Sequence, residues 1–430
     1  MRKRIGYLAL GVILLFAGLA RAEDISMPAQ KKLSLNACIR IALAGQSDIL
    51  VGQNSVISAK ARETQAKSNY FPQVSAQRSG THTETNALGP GTSSSNESGS
   101  VSVSQNIYDG GLREAKVSGA KAATTQSEFT LIRTQQTTVF NVTKDFYSLL
   151  QAQSLEVVQE QQVKYLQEQV DLVNAQVKLG AAAEVDALPI ESQLATAQYN
   201  LLSAKNNVET AAVQLQSAMG LAPQPDFAIL ESDLPDAGKE IQAMDYYAKE
   251  ALAARPEVKQ AEAAVAGAGS TVKSAHIALL PQPSITADYG KSLMQGNDYA
   301  FTLNGGFVFD VFDGGNNRAV YKSARAGLST AEINAAQTQK DIQSEVKTAY
   351  LNLSSSKERM AAADIGLKAA QKNYDVQEAR FKQGLAIPLD LLNAQVQLVT
   401  AQSNQAQSRY DYYTSLAQLE YATGAWGGIK

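Results

Sequence analysis

The chain contains a single cysteine, Cys38, among its 430 residues. One cysteine excludes an internal disulfide, and its position well past the N-terminal segment favours a small buried helix residue over a lipid-anchor site. The two histidines, His82 and His276, are far apart and lack metal-ligand spacing, so we expect solvated or junction positions for both. The formal net charge of −3, without clusters of lysine and arginine, argues against nucleic-acid binding. Because nucleophile elbows, phosphate loops and Cys/His constellations are also missing, the sequence predicts no enzyme and no metal or cofactor site.

Long apolar runs are missing except in the first 22 residues, MRKRIGYLALGVILLFAGLARA. This segment has a basic start, an apolar run from Ile5 to Leu19, and small residues before Glu23. The pattern predicts a secretory signal peptide that is cleaved before Glu23. An uncleaved membrane anchor is the alternative, but the run is short for a bilayer span of ~20 residues. We therefore expect an exported mature chain of 408 residues (430 − 22).

The most informative feature that is present is an internal duplication. ALAGQSDI at 42–49 aligns with ALAARPEV at 251–258, and YFPQ at 70–73 aligns with LLPQ at 279–282, both at an offset of 209. From the Asp-Gly-Gly motifs onward the offset is 204 (314 − 110), and it holds for VKLGAAAEVDAL and FKQGLAIPLDLL. The five-residue difference arises around the polar stretch NALGPGTSSSNESGS. The two halves therefore share one framework and differ in one loop.

Each half contains strand-like alternation. One face of the clearest strand carries Tyr299, Phe301, Leu303, Gly305, Phe307, Phe309 and Val311. Weaker alternation occurs at 101–107, at 284–289 and after Pro72. Apolar residues on one side and small polar residues on the other, over ~10 residues, suit a strand that crosses lipid around a wet lumen. Taken alone, the strands fit a half-buried strand of a soluble sheet equally well.

Long helices distinguish the chain from a single globular domain. A 3-4-3-4 spacing occurs in two sets related by the offset of 204, the first entirely apolar and the second interrupted by Gln377. The sets are Val163, Leu166, Val170, Val173 and Val177, and Leu367, Ala370, Tyr374, Gln377 and Phe381. A second heptad seam runs from Leu194 to Leu215 and stops at Gly220 and Pro223, with Gly424 as its counterpart. No proline interrupts 111–179 or 315–383. A continuous helix of about 68 residues reaches roughly 100 Å.

The duplicated Asp-Gly-Gly motifs predict a strand-to-helix junction in each half. The preceding aromatic residue, Tyr108 or Phe312, suits a membrane interface. Asp109 and Asp313 can accept hydrogen bonds from the first helical N–H groups, and the glycine pairs that follow, Gly110, Gly111, Gly314 and Gly315, supply backbone angles that side chains disfavour. Four strands cannot close a membrane barrel, which needs at least ~8, so several chains must share one. Two chains give eight strands and a filled interior, whereas three give twelve and room for a channel.

As an ordered duplicate set, these motifs resemble the TolC-like outer-membrane efflux protein family over essentially the whole mature chain. The matching motifs are YDGG and FDGG, FPQ and LPQ, and LGAAAEVDAL and QGLAIPLDLL. The resemblance implies an α+β membrane protein with an internal two-fold repeat, located in the outer membrane of a Gram-negative bacterium. Each chain of a homotrimer would give four strands to a shared twelve-stranded β-barrel and long helices to a periplasmic coiled-coil tunnel. Residues from about 222 to 244, with the C-terminal tail, would form a band around the tunnel.

The resemblance assigns the turns between long and return helices to adaptor-docking tips. Gly180 and Ala182 belong to the first tip, and Gly384 and Leu385 belong to the second. A periplasmic adaptor (membrane fusion protein) would dock on them.

Further residues would form the periplasmic entrance. Asp186 and Asp390 would lie there, with helix capping as a compatible alternative role. The family's best-known entrance has a second acidic residue where this chain has Asn393. It also has a locking tyrosine and arginine where this chain has Phe381 and Ala386, which cannot make the same polar links.

The predicted organisation has five segments. They are the signal peptide 1–22, a first repeat 23–220, a linker 221–247, a second repeat 248–424 and a tail 425–430. The first repeat comprises a helix, two strands at about 72–108, a long helix 111–179 and a return helix 186–219. The second has strands at about 281–312, a long helix 315–383 and a return helix 390–423.

These expectations together describe a passive exit duct of a tripartite efflux or type I secretion system. An adaptor and an inner-membrane pump would supply coupling and energy. A periplasmic coiled-coil adaptor and a secreted structural coiled coil are the alternatives. Neither needs four strands with aromatic lipid faces.

Overall fold

The computed structural model describes residues 32–85, 92–180, 183–225, 227–231, 234–235, 241–292, 299–383 and 385–424. The predicted signal peptide and C-terminal tail lie outside these residues, as do Ala182 and Gly384. Within the described ranges, none of the helices combines the length and apolarity needed to cross a bilayer.

The element order occurs twice along the chain. The first half contains α1 (Leu35–Gly45), α2 (Ser47–Ser68), β1 (Gln73–Thr85), β2 (Thr92–Tyr108), α3 (Leu112–Lys178), a 3-10 turn (Glu184–Asp186) and α4 (Leu188–Ala218). The second contains α5 (Met244–Ala254), α6 (Pro256–Ile277), β3 (Gln282–Ser292), β4 (Tyr299–Val308), α7 (Asn316–Lys382) and α8 (Pro388–Thr423). This α+β architecture with an internal repeat confirms the expected fold class.

A break divides the helical segment before the strands, where the sequence predicted one helix in the first repeat. Gln46 separates α1 from α2 with φ −67° and ψ 127°, and Arg255 separates α5 from α6 with φ −69° and ψ 131°. The two break residues differ by the duplication offset (255 − 46 = 209). Proline disfavours a helical conformation in the residue before it, which explains the break before Pro256. At the first break the side chain of Gln46 accepts a hydrogen bond from the N–H of Asp48.

The long helices α3 and α7 have 67 residues each, about 100 Å at 1.5 Å per residue. The first part of α3 packs against α2 and α6, and its remainder packs against α4 and α8. The heptad seam of α3 is buried against α4, with Leu166 and Val173 at 0% and 1% exposure. The spacing of small and large residues therefore sets which helices pair.

The largest buried apolar cluster of the described residues lies where α1 and α3 to α8 meet. Phe146, Leu215 and Tyr412 are almost fully buried there, and each such side chain contributes about 1.5–3 kcal/mol. Cys38 is also fully buried in this cluster, as expected of a small helix residue, and burial raises the pKa of its thiol to about 12.

The four strands form one antiparallel sheet in the order β1-β2-β3-β4. Strands β1 and β4 are therefore its two edges. Residues 109–111 connect β2 to α3 and residues 309–315 connect β4 to α7, so the sheet and the helical body are joined at the segments that contain the two Asp-Gly-Gly motifs.

Candidate functional site in the sheet, junctions and tips

Both junctions use the same hydrogen bonds. Each aspartate accepts bonds from the backbone N–H groups two and four residues later, at 3.2 and 3.0 Å for Asp109 and at 2.8 and 2.7 Å for Asp313. The two glycines after each aspartate have φ between 68° and 92°. Positive φ is costly for residues with a Cβ, so glycine fits this turn. The backbone hydrogen bonds, led by the one from Asn317, lower the pKa of Asp313.

At the first junction, Arg113 makes additional hydrogen bonds to the backbone at the end of β2. The guanidinium of Arg113 donates to the carbonyl oxygens of Asn106 at 2.7 Å and Ile107 at 3.0 Å, and it lies 4.7 Å from the ring centroid of Tyr70. The hydroxyl of Tyr70 in turn donates to Glu114 at 3.2 Å. These bonds tie the end of β2 to the first turn of α3.

The sheet has one apolar and one polar face. The registers align Val74, Val103, Tyr289 and Phe301 in one row across all four strands. The opposite face carries serine pairs between β1 and β2, with hydroxyl oxygens 2.8 Å apart for Ser75 and Ser102. Apolar side chains on one face and hydrogen-bonded hydroxyls on the other match a barrel wall between lipid and water.

Polar and aromatic groups lie at both ends of the apolar face. At the loop end, the ammonium of Lys291 contacts Tyr299, 3.1 Å from its hydroxyl and 4.7 Å from its ring centroid. At the helix end, Phe307 is 75% exposed. Eight residue steps separate the two aromatics of β4, about 26 Å at 3.3 Å per residue. An aromatic-flanked apolar band of about 25 Å is typical of outer-membrane barrels.

The first tip is an exposed turn. Gly180 has φ 71°, and no other group lies within 4 Å of the Cβ that a larger residue would add. Leu179 beside it is 84% exposed. At the second tip Leu385 is 64% exposed, and its N–H donates to the carbonyl of Arg380 at 2.8 Å.

The predicted entrance residues lie on two separate helical hairpins. Asp186 ends the 3-10 turn before α4, whereas Asp390 and Asn393 lie exposed in the first turns of α8. The N-cap of α8 is Ile387 without a side-chain cap bond, so Asp390 is a first-turn acid rather than a hydrogen-bonding cap. Phe381 and Ala386 are half-buried on either side of the turn.

An aromatic contact joins the two hairpins above their tips. The rings of Tyr165 on α3 and Tyr374 on α7 meet edge to face, with centroids 5.6 Å apart. Gln169 donates to the hydroxyl of Tyr165 at 2.9 Å. Burial, with the neighbouring side chain of Tyr374, raises the pKa of Tyr165. Leu392 of α8 packs nearby against the Leu166 cluster.

Sequence reasoning missed a charge cluster around the buried Arg255, near the C-terminal end of α8. It comprises Arg133, Arg255, Glu257 and Glu345, from α3, the α5–α6 break, α6 and α7. Arg255 is 3% exposed and donates to the carbonyl of Ala422 at 3.2 Å. Burial lowers the pKa of Arg255, but hydrogen bonds to the two carboxylates outweigh it and raise the pKa overall. The ion pairs and the hydrogen bond to Ala422 therefore connect α3, α6, α7 and α8.

Known proteins are similar to this chain over most of its length, in sequence and in structure. The family model described as outer membrane efflux protein matches residues 38–221 and 247–425. The outer membrane efflux protein BepC of Brucella suis is 25% identical over 84% of this chain and 78% of its own length. The outer membrane protein TolC of Escherichia coli is 23% identical over 95% and 84%. A solved structure of the outer-membrane channel OprN superposes with a TM-score of 0.80 at 20% identity, covering 91% of this chain and 90% of that one. The chain belongs to the outer membrane efflux protein family.

Proposed function

We propose that this outer-membrane efflux protein is one subunit of a passive trimeric duct. A periplasmic adaptor and an inner-membrane pump, of a tripartite efflux or type I secretion system, would complete the export path. The duct itself would catalyse nothing and would supply a water-filled route through the outer membrane. The family assignment gives the location and the efflux role; the trimer, the partners and the passive mechanism are the proposed parts.

The observation that carries the proposal is the open, two-faced sheet. Edges β1 and β4 leave backbone N–H and C=O groups without partners in the described sheet. Such groups cost several kcal/mol each in lipid, so the sheet must be closed by other strands. Three chains supply twelve strands, enough for an aqueous lumen lined by the polar face.

The helices support a continuous path below the barrel. Short connections lead from each hairpin into a long helix, residues 109–111 before α3 and residues 309–315 before α7, so the wall of the barrel would lead into the wall of the tunnel. Their length of about 100 Å suits a tunnel that extends far into the periplasm.

The tips fit adaptor docking because they expose apolar side chains. Exposures of 53% to 84% are found at Leu179, Val185, Leu188, Leu385, Ile387 and Leu389. Exposed apolar groups that cluster at one place favour a protein contact. A photo-cross-linker at Leu385 should capture a second envelope protein in cells.

Native mass spectrometry of the detergent-extracted protein tests the assembly. The expected result is recovery from the outer-membrane fraction as a stable trimer that conducts ions in planar bilayers. A stable monomer or dimer would refute the trimeric duct. Recovery in the periplasm without detergent would instead favour a coiled-coil adaptor.

A further inference from the structure

The internal duplication extends to the strand registers. Gln73 of β1 is opposite Ser104 of β2, and adding the offsets 209 and 204 gives Gln282 and Val308. These two residues are opposite each other in the hairpin of β3 and β4. The same offsets convert the pair Val74 and Val103 into the observed pair Pro283 and Phe307. The two hairpins therefore share one register, residue for residue.

A third pairing has no counterpart within the described sheet. Strands β2 and β3 pair between the hairpins, with Ser104 opposite Asp288 and Val103 opposite Tyr289. Because β4 is the duplicate of β2 and β3 is the duplicate of β1, the equivalent pairing would join β4 to β1. These strands are the two edges of one sheet, about 14 Å apart across three strand spacings, so only a second copy can provide it.

We infer that β4 of one chain pairs with β1 of a second copy in the register that the duplication dictates. Applying the offsets to the β2–β3 pairs places Val308 opposite Ser79, Phe307 opposite Gly80, and Asp310 opposite Gln77. The inference rests on the shared barrel of the proposed function, and adds the residue-level register of the subunit boundary.

The segment after β4 supports this pairing. Residues 309–312 are outside any strand, although their counterparts 105–108 continue β2 as far as Tyr108, which is opposite Ile285. Val311 and Phe312 are 87% and 89% exposed. In the inferred register Phe312 lies opposite Ala76 of the second copy, so the segment gains the strand partner that its duplicate already has.

The facing residues are also compatible in shape and polarity. Phe307 would lie over Gly80, whose missing side chain leaves room for the ring, since the nearest atom to an added Cβ is 3.9 Å away on Glu97. An aromatic residue across from a strand glycine stabilises a sheet. Phe309 would lie opposite Arg78, a pair that can make a cation–π contact. A slip by one residue would turn the apolar face of β4 toward the polar face of β1.

The duplication also predicts a helix contact between subunits, in which small residues of α7 face small residues of α2 of the next copy. Where α3 packs on α6, a Cβ at Gly119 would lie 3.5 Å from Ser270, and a Cβ at Gly267 would lie 3.7 Å from Ala122. The offsets convert these contacts into two pairs between α7 and α2 of the next copy, Ser323 with Ala61 and Ala326 with Ser58. All four residues are small, and all four are exposed in the single chain. Ser270 and Ala122, by contrast, are 8% exposed.

Disulfide cross-linking between two differently tagged chains tests the register. One chain carries Val308→Cys and the other carries Ser79→Cys, co-expressed, oxidised in membranes and separated under denaturing, non-reducing conditions. The native Cys38 is fully buried with a raised thiol pKa, and chains with this cysteine alone measure the background. The matched controls replace Ser79→Cys with Gln77→Cys or Thr81→Cys, on the same face and two residues away. In the inferred register both control positions are diagonal to Val308. The Cα atoms of diagonal residues on paired strands are about 7–8 Å apart, which is too far for an ordinary disulfide.

We expect the Ser79→Cys chain to give at least about fivefold more covalent dimer than either control, following the distance limit for disulfides. Ser323→Cys with Ala61→Cys should cross-link likewise on the helices. Stronger cross-linking to Gln77→Cys or Thr81→Cys would overturn the register while leaving a shared barrel intact. No cross-link in a protein that remains trimeric would overturn edge-to-edge pairing itself. No cross-link in a monomeric protein would refute the trimeric duct as well.

Discussion

The ring of Tyr165 on α3 meets the ring of Tyr374 on α7 edge to face, with centroids 5.6 Å apart. The contact joins the α3–α4 hairpin to the α7–α8 hairpin of the same chain, above the two tips. In the proposed duct these hairpins line the entrance, so a bond between them opposes their separation.

Removing the ring of Tyr374 should loosen the entrance. Tyr374→Leu keeps an apolar side chain but deletes the edge-to-face contact with Tyr165, a loss of about 0.5–1.5 kcal/mol that shifts an open–closed equilibrium roughly twofold to tenfold. We expect a higher open probability in planar-bilayer recordings, with unchanged trimer yield. Tyr199→Leu is the matched control, because Tyr199 is 71% exposed on α4. Equal currents in Tyr374→Leu and the native protein would contradict a restraining role.

Neutralising Glu257 should destabilise the helical body. Its carboxylate lies between Arg133 and Arg255, and Glu257→Gln leaves the buried Arg255 with Glu345 as its remaining carboxylate in the cluster. The expected loss in the free energy of unfolding is about 1–3 kcal/mol. Glu262→Gln is the control, because its pair with Lys259 is exposed and worth about 0–1 kcal/mol. Thermal unfolding followed by circular dichroism measures both.

The same cluster predicts an acid dependence. Burial raises the pKa of Glu257, but the hydrogen bond from Arg255 and the charge of Arg133 outweigh it, so the folded-state pKa is lowered. A lowered folded pKa means that this stabilisation is present above the unfolded value of about 4.3 and is lost as pH falls through the folded value. The stability gap between the native protein and Glu257→Gln should therefore be constant from pH 7 to 5 and shrink below about pH 4. A gap that is unchanged at pH 3 would exclude this contribution.

Replacing Gly315 at the second junction by alanine should lower the stability of the folded protein. Gly315 has φ 88°, so Gly315→Ala forces alanine into a left-handed conformation at about 1–2 kcal/mol, although no neighbouring atom obstructs it. Gly327→Ala adds the same atom inside α7, where space is also free and alanine favours helix by about 0.5–1 kcal/mol. The two variants should shift the unfolding temperature in opposite directions. A shift in the same direction would show that backbone conformation does not dominate at the junction.

Charge at the entrance should set ion selectivity. In a trimer three copies of the exposed Asp390 would surround one axis, and a ring of carboxylates attracts cations. Asp390→Ala should reduce cation selectivity, measured as reversal potential in a salt gradient, and should weaken block by multivalent cations. Asn393→Asp adds a second ring and should strengthen both. Unchanged selectivity in Asp390→Ala would leave Asp390 with only a helix-terminus role.

Local chemistry explains why much of the arrangement was predictable. The Asp-Gly-Gly junctions depend on hydrogen bonds that reach two and four residues along the chain and on positive φ at the glycines. The coiled-coil seam around Leu166 depends on the heptad spacing. Both are encoded within a few turns, and the duplication repeats them, so the junctions and the long helices could be predicted without tertiary information.

Only the tertiary structure decided which distant side chains meet. Arg133 and Glu345 share one cluster although 212 residues separate them (345 − 133), and nothing in either neighbourhood marks them as partners. The same holds for Tyr165 and Tyr374, since the sequence placed Tyr374 on a seam but did not mark Tyr165 as its partner. The break at Gln46 lacks a proline, so the local signal that marks the break before Pro256 was missing there. Such contacts depend on how long helices are aligned against one another, and that alignment is set by burial summed over the whole interface rather than by any local pattern.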